Sequence, residues 1–231
     1  MTTSKESFLD GEVILIDKPL KWTSFQVVNK IRWLIKSTYG IKKIKVGHAG
    51  TLDPLATGLL IICTGKMTKS IEKFMGQEKE YKGVFSIGAT TPSYDLETEI
   101  NASFPIDHIN DEILKNKLSE FTGTIDQKPP IFSALKKNGK RLYKFAREGK
   151  EFEIPPRKVN VSCFELTKVK MPNLEFRICC SKGTYIRSLA NDYGKALKSG
   201  AYLHELRRTR IGNHKIDDAM SIENFDKLLQ K

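Results

Sequence analysis

Between Gly47 and Leu60 the chain reads GHAGTLDPLATGLL. One carboxylate, Asp53, stands before Pro54 among Gly47, Ala49, Gly50, Ala56 and Gly58, with His48 and Thr51 close by. Small residues let a ligand approach the backbone closely. An acid, an imidazole and a hydroxyl in one turn supply the polar groups a reacting site needs. Asp-Pro is also a common turn dipeptide, so taken alone Asp53 reads as a turn acid or helix cap. Gly65-Lys66 downstream suggests a phosphate loop, but that motif requires Ser or Thr after the lysine, and Met67 stands there. The acid at position 53 would also repel a cradled phosphate.

The elements that must hold this loop follow from hydrophobic spacing. Glu12–Asp17 (EVILID) and Leu59–Thr64 read as buried strands, with Ile44–Val46 a short one leading into the loop. Ser24 offers an N-cap to a helix with Val27, Val28, Ile31, Leu34 and Ile35 on one face, closed by Gly40. Further on, the patterns predict a short helix over 68–74, a strand through Tyr81, Gly83, Phe85 and Ile87, and a helix over 111–121. A turn is predicted at Lys137-Asn138-Gly139-Lys140 and a helix over 141–148. Paired strands are predicted over 159–169 and 174–181. A helix over 184–198 carries Ile186, Leu189, Ala190, Tyr193 and Leu197 on one face. A strand over 202–211 and a final helix capped by Ser221 complete the pattern. Without a strict βαβ alternation, the expected class is α+β with a mixed, mostly antiparallel central sheet flanked by helices. The chain reads as one domain over 1–231, with an insertion over about 128–157 bounded by Pro129-Pro130 and Pro155-Pro156.

Lys and Arg number 39 against 27 Asp and Glu, a net charge of +12 among 231 residues. Such an excess points to an anionic partner, nucleic acid before a membrane surface. The charge clusters. Lys136, Lys137, Lys140, Arg141, Lys144 and Arg147 crowd into the insertion, interleaved with Leu142, Tyr143 and Phe145. Arg207, Arg208 and Arg210 form a second group, and Lys66 with Lys69 a third. The four cysteines form no C-x-x-C and the four histidines no H-E-x-x-H, so no metal site and no disulfide framework is expected. No window approaches the roughly 18 apolar residues of a membrane span. The polar N-terminus carries no signal-peptide stretch, so a cytoplasmic location is expected.

The stretch from Gly47 to Leu60 resembles the catalytic motif of the TruB family, the tRNA pseudouridine-55 synthases, shared with their guide-RNA-dependent, dyskerin-type relatives. The resemblance runs in order along nearly the whole chain. It takes in Asp17-Lys18-Pro19 with Thr23-Ser24, then Lys79-Glu80-Tyr81 and Ser133-Ala134-Leu135-Lys136. It continues through Gly139-Lys140, Leu142-Tyr143, Ala146-Arg147, the run Ser181 to Arg187 (SKGTYIR) and Leu206-Arg207-Arg208.

The resemblance implies the pseudouridine synthase fold with a basic RNA-binding insertion. It implies isomerisation of the T-loop uridine of tRNA by base flipping and a catalytic aspartate. Asp53 is then the reacting carboxylate, acting at the ribose or adding to the uracil ring, with Arg187 its partner cation. Tyr81 stacks on the base and takes part in proton transfer. His48, Tyr185 and Leu206 complete the substrate pocket. Lys136, Lys140, Arg141, Lys144, Arg147, Lys182, Arg207 and Arg208 contact RNA. The partner is a tRNA T-stem-loop, with no membrane, no metal and no cofactor, and a monomer is expected. The alternative is a non-catalytic tRNA-binding or folding protein of the same fold. Relatives commonly carry Gly where Lys21 stands, so a different turn is expected there, remote from the acid. Many also continue into a small RNA-binding domain, and no separate C-terminal domain of that kind is expected here.

Overall fold

A computed structural model of the chain describes residues 4–133, 136–137, 140–141 and 154–230. In chain order its main elements are α1 (Lys5–Asp10), β1 (Val13–Lys18), α2 (Ser24–Tyr39), β2 (Val46–His48), β3 (Ala56–Thr64) and α3 (Ile71–Gly76). There follow β4 (Lys79–Ile87), β5 (Ala89–Thr90), β6 (Ala102–Ser103), α4 (Asp111–Leu118), β7 (Gly123–Gln127), β8 (Lys136–Lys137) and β9 (Lys140–Arg141). The last are β10 (Arg157–Lys170), β11 (Asn173–Cys180), α5 (Ile186–Ala196), β12 (Ala201–Ile211), β13 (His214–Lys215) and α6 (Ile222–Leu229). Two compact units result. One is drawn from the two ends of the chain, up to Tyr81 and from Leu206, and the other spans Lys82–Glu205.

In the first unit β1 lies antiparallel on β3, with Ile14 opposite Ile62 and Ile16 opposite Leu60. The other edge of β3 runs parallel to β12, with Leu206, Arg207 and Arg208 opposite Ala56, Thr57 and Gly58. Both faces of this sheet are covered. Ile14, Ile16, Leu60 and Ile62 join the inner face of α2 and Phe225 of α6. Leu59, Ile61 and Cys63 pack on the opposite side against Met67, Ile71 and Phe74. A strand buried on both faces reads as an unbroken apolar run rather than an alternation, as Leu59–Cys63 does. Each of Val27, Val28, Ile31, Leu34 and Ile35 on α2 is at most 3% exposed. Burying such a side chain is worth about 1.5–3 kcal/mol, which fixes α2 on the sheet.

The second unit is antiparallel in its main pairings, β10 lying between β7 and β11. Its core centres on Phe85, Phe164, Phe176 and Tyr193, whose rings meet at centroid distances of 4.2–6.5 Å. The Tyr193 hydroxyl donates to the Leu114 carbonyl at 2.8 Å, joining α5 to α4. The stripe expected on α5 is buried throughout.

The mixed, mostly antiparallel α+β reading therefore holds, with local corrections. Thr23, not Ser24, caps α2, through a reciprocal box with Gln26. Ser24 is turned inward for another purpose described below. The helix expected over 68–74 splits into a 3-10 turn, Gly65–Ser70, followed by α3. The helix expected over 111–121 likewise ends in a 3-10 turn, Ser119–Phe121. At the expected Lys137–Lys140 turn, Lys136 pairs with Arg141 and Lys137 with Lys140, while Asn138 and Gly139 lie outside the described residues. The helix expected over 141–148 falls outside the described residues apart from Arg141, which lies in β9.

Candidate active site

The Asp53 loop is held by donors aimed at its backbone. The Ser24 hydroxyl accepts from Leu52 N–H at 2.9 Å and donates to the Leu52 carbonyl at 3.2 Å. On the other side of the acid, the Pro54 carbonyl accepts from Lys21 N–H at 2.8 Å and from Lys18 Nζ at 3.4 Å. Arg208 is 1% exposed. Its Nε donates to the Leu59 carbonyl at 2.8 Å, Nη2 to Gly50 at 2.9 Å and Nη1 to Thr51 at 3.5 Å. Asp53 itself is half-buried, its flanking peptides fixed on both sides. Rigid support of this kind is what a reacting group requires.

Two glycines make the clamp possible. Gly58 has φ of +102°, and a Cβ there would lie 2.3 Å from the Arg208 carbonyl oxygen. The parallel approach of β12 to β3 therefore excludes any side chain at position 58. Gly50 has φ of +103°, a left-handed backbone that turns its carbonyl to the Arg208 guanidinium.

The electrostatics follow from burial. Lys18 is fully buried and also donates to the Pro19 and Trp22 carbonyls at 2.9 and 2.6 Å. Burial lowers its pKa from 10.5 to about 8; the Asp53 carboxylate opposes this shift and Arg208 adds to it. Burial, reinforced by Arg208, also lowers the His48 pKa below its usual 6.5, against a Gly50 backbone hydrogen bond that raises it. The imidazole at the loop entrance is thus held mainly neutral at pH 7.

Arg207 and Arg208 are successive strand residues and point to opposite faces. Arg207 grips Asp17 with both terminal nitrogens, at 3.0 and 2.7 Å, and reaches Thr57 Oγ1 at 3.4 Å. Arg208, expected among the RNA-contacting cations, is instead an internal clamp on the loop. Leu206 is half-buried beside Ala56, and Tyr81 is 9% exposed on β4. Lys66 is paired with Asp10 at 2.7 Å on the surface. The turn at Lys21 is not remote from the acid, because its N–H bonds the residue next to Asp53. Lys21 has φ of +66°, so the chain keeps the left-handed turn that glycine would adopt freely.

In the second unit Arg187 lies on α5, 3% exposed. It donates to the Ser93 carbonyl at 3.1 Å and the Phe132 carbonyl at 2.9 Å, and its Nε lies 3.5 Å from Asp95 Oδ2. Asp95 is 4% exposed and also accepts from Glu97 N–H at 2.9 Å. The Thr91 and Ser93 hydroxyls both donate to its carbonyl. Tyr185 is fixed through its peptide. Gln127, 1% exposed, accepts from its N–H at 2.8 Å and donates to its carbonyl at 3.0 Å. The Arg157 guanidinium stacks 4.9 Å from the Tyr185 ring and bonds the Gly183 carbonyl. Lys182 is exposed.

Asp95, Gln127 and the inward role of Ser24 escaped the sequence reading. The available signal for Asp95 was the cluster of hydroxyls Thr91, Ser93 and Thr98 around it. Of the insertion cations, Lys136, Lys140 and Arg141 lie on the β8–β9 pair, while Lys144 and Arg147 lie outside the described residues. Among the described residues no three His, Cys, Asp or Glu side chains are placed to hold a metal ion. No helix among them is long and apolar enough to cross a membrane.

Comparison with known proteins shows the family of this chain. Residues 36–186 match the family described as TruB family pseudouridylate synthase, N terminal domain. A Flavobacterium johnsoniae protein named tRNA pseudouridine synthase B is 58% identical over 226 residues, spanning 97% of this chain and 99% of its own length. A Phocaeicola vulgatus protein of the same name is 53% identical, spanning 97% and 96%. Among solved structures, a chain of a Cbf5-Nop10-Gar1 complex superposes with a TM-score of 0.73 at 28% identity over 97% of this chain. A chain of an H/ACA RNP bound to a substrate RNA containing 2'-deoxyuridine gives 0.67 at 26% identity. This chain spans only 56% and 53% of the length of those two chains.

Proposed function

The chain belongs to the TruB family of pseudouridylate synthases, and from that premise we propose that it isomerises a tRNA uridine, specifically the T-loop uridine, with Asp53 as the reacting carboxylate. The reaction breaks the bond from ribose C1' to uracil N1, turns the base, and joins C1' to C5. The C5 proton is lost and N1 gains one, so atoms balance with no redox change. A uridine inside a folded loop must be everted before a side chain can reach it.

The observation that supports this most directly is the pinned segment Leu52–Pro54. Ser24, Lys18, Lys21 and Arg208 all bond backbone atoms around Asp53. An attacking or proton-accepting carboxylate gains most of its advantage from fixed orientation. Tyr81 and Tyr185 offer aromatic faces for the flipped base, where stacking is worth about 1–3 kcal/mol. Leu206 supplies an apolar wall, His48 supports the everted loop, and Arg187 is the cation that the motif pairs with the reacting charge. Arg207, Lys182 and the insertion lysines and arginines meet phosphate.

Asp53→Asn is expected to abolish pseudouridine formation while leaving tRNA affinity within a few-fold. Mass spectrometry of digested tRNA and a filter-binding isotherm read the two. Wild-type turnover by Asp53→Asn would overturn the assignment, and binding without product by the wild type would favour a pure RNA-folding role.

A further inference from the structure

From Lys18 to Leu52 the chain carries eight Lys and Arg and no Asp or Glu, against a net charge of +12 for the whole. Lys18 faces inward on the loop carbonyls, and the half-buried Arg32 is engaged by the Val46 carbonyl and the exposed Asn29. Of the rest, Lys21, Lys36, Lys42, Lys43 and Lys45 are exposed, and Lys30 lies 4.5 Å over the ring of Trp33. Two aromatics stand out on the same helix, Phe25 at 62% and Trp33 at 58% exposure. An ordinary solvated helix face mixes both signs of charge and seldom presents bare aromatic rings.

We infer that the outer face of α2, with Lys42 and Lys43 beyond its end, is a second RNA-binding surface that grips the tRNA outside the T-stem-loop. This rests on the reading of the chain as a tRNA-modifying enzyme. Phosphates meet the lysines, and an unstacked base lies on Trp33. Aromatic faces among like-signed cations are the composition of a single-strand platform. The apolar face of α2 is consumed by the core, which leaves no stripe for a lipid surface.

Position determines which part of the RNA is met. The start of α2 is tied to the Asp53 loop through Ser24 and Lys21. The Phe25 end of this face is therefore the end nearer to Asp53. Lys36 lies eleven residues further on, about 16 Å along the axis. That reach carries the surface beyond the target nucleotide and its immediate neighbours.

The test combines Trp33→Ala with Lys36→Gln, Lys42→Gln and Lys43→Gln, beside a control carrying Arg at the three lysine positions. Affinity is measured against salt for full-length tRNA and for an isolated T-stem-loop, with turnover on each. The expected result is a roughly tenfold loss of full-length affinity and a salt slope shallower by about 2. Stem-loop binding and turnover stay unchanged, and the Arg control retains wild-type affinity. Unchanged full-length affinity and slope would overturn the inference. So would an equal loss on both RNAs, which would merge this face with the site at Asp53. Wild-type turnover in the same assay tests the functional reading separately.

Discussion

Each unit builds a loop around one aspartate, and the two use it in opposite ways. At Thr91–Asp95 the acid is 4% exposed and lies 3.5 Å from the buried Arg187, so the carboxylate helps hold a cation in place. At Gly50–Pro54 the acid is half-buried, and the buried cations Lys18 and Arg208 donate to backbone carbonyls on either side of it. In the first loop charge fixes a side chain. In the second, charge fixes the backbone on both sides of the acid. In the role proposed for Asp53, a backbone pinned this way stays in place while the carboxylate changes its bonding.

Breaking the first loop gives the largest expected effect on stability. Asp95→Leu leaves the Arg187 guanidinium buried without its anion, at a cost of about 3–5 kcal/mol. Urea unfolding reads this, and adding Arg187→Met should recover part of the loss. If Asp95→Leu costs under about 1 kcal/mol, the acid is not holding the cation and the contrast between the loops fails.

Breaking the second loop should fall more on rate than on folding. Arg208→Met removes donors to Gly50, Thr51 and Leu59 and is expected to cost about 2–3 kcal/mol. Misplacing a reacting group by an ångström can cost about a hundredfold, so kcat should drop on that order with KM within a few-fold. Steady-state kinetics on a T-stem-loop separate the two parameters. A rise in KM with kcat intact would return Arg208 to the phosphate-binding role expected of it from sequence.

Lys18 sharpens the contrast through pH. Its folded pKa of about 8 lies below its ordinary 10.5. Between those values the unfolded chain binds the extra proton, so this group makes stability rise with pH, by at most about 1.4 kcal/mol per unit. Below pH 8 the cost of burying the charged form is fully present. The stability of the wild type minus that of Lys18→Met should therefore increase from pH 8 to 10.5 in urea unfolding. A pH-independent difference would mean that Lys18 does not titrate in this window.

Much of this frame was legible because periodicity reports burial. The run Leu59–Cys63 announced a strand covered on both faces, and Gly40, with φ of +61°, closes α2 where its pattern stops. The candidate site was legible as a motif around Asp53, but its supports were not. Strand alternation says that Arg207 and Arg208 face opposite ways, yet not which one faces in. That depends on the parallel register against Gly58, a long-range fact. Thr23 and Ser24 are both good caps, and only the carbonyl and N–H of Leu52, 28 residues away, decide that Ser24 turns inward. Asp95 sits in irregular backbone where no period exists to betray burial.

The smallest effect comes from Lys21, where the second loop meets its neighbouring turn. A non-glycine residue at φ of +66° carries about 1–2 kcal/mol of backbone strain. The Lys21 N–H bond to Pro54 is a backbone bond that glycine would keep. Lys21→Gly relieves the strain but gives the unfolded chain more freedom, for a net gain of about 0.5 kcal/mol. Lys21→Val keeps the bond but puts a β-branched side chain in a region it strongly disfavours, and should lose about 1–2 kcal/mol. If the backbone at Lys21 is what anchors Pro54, thermal melts should rank Gly above Lys above Val. Turnover should stay near that of the wild type in both, since both keep the bond to Pro54 and neither touches Asp53. A ranking with Lys at the top would mean that its ammonium, rather than its peptide, holds this side of the loop.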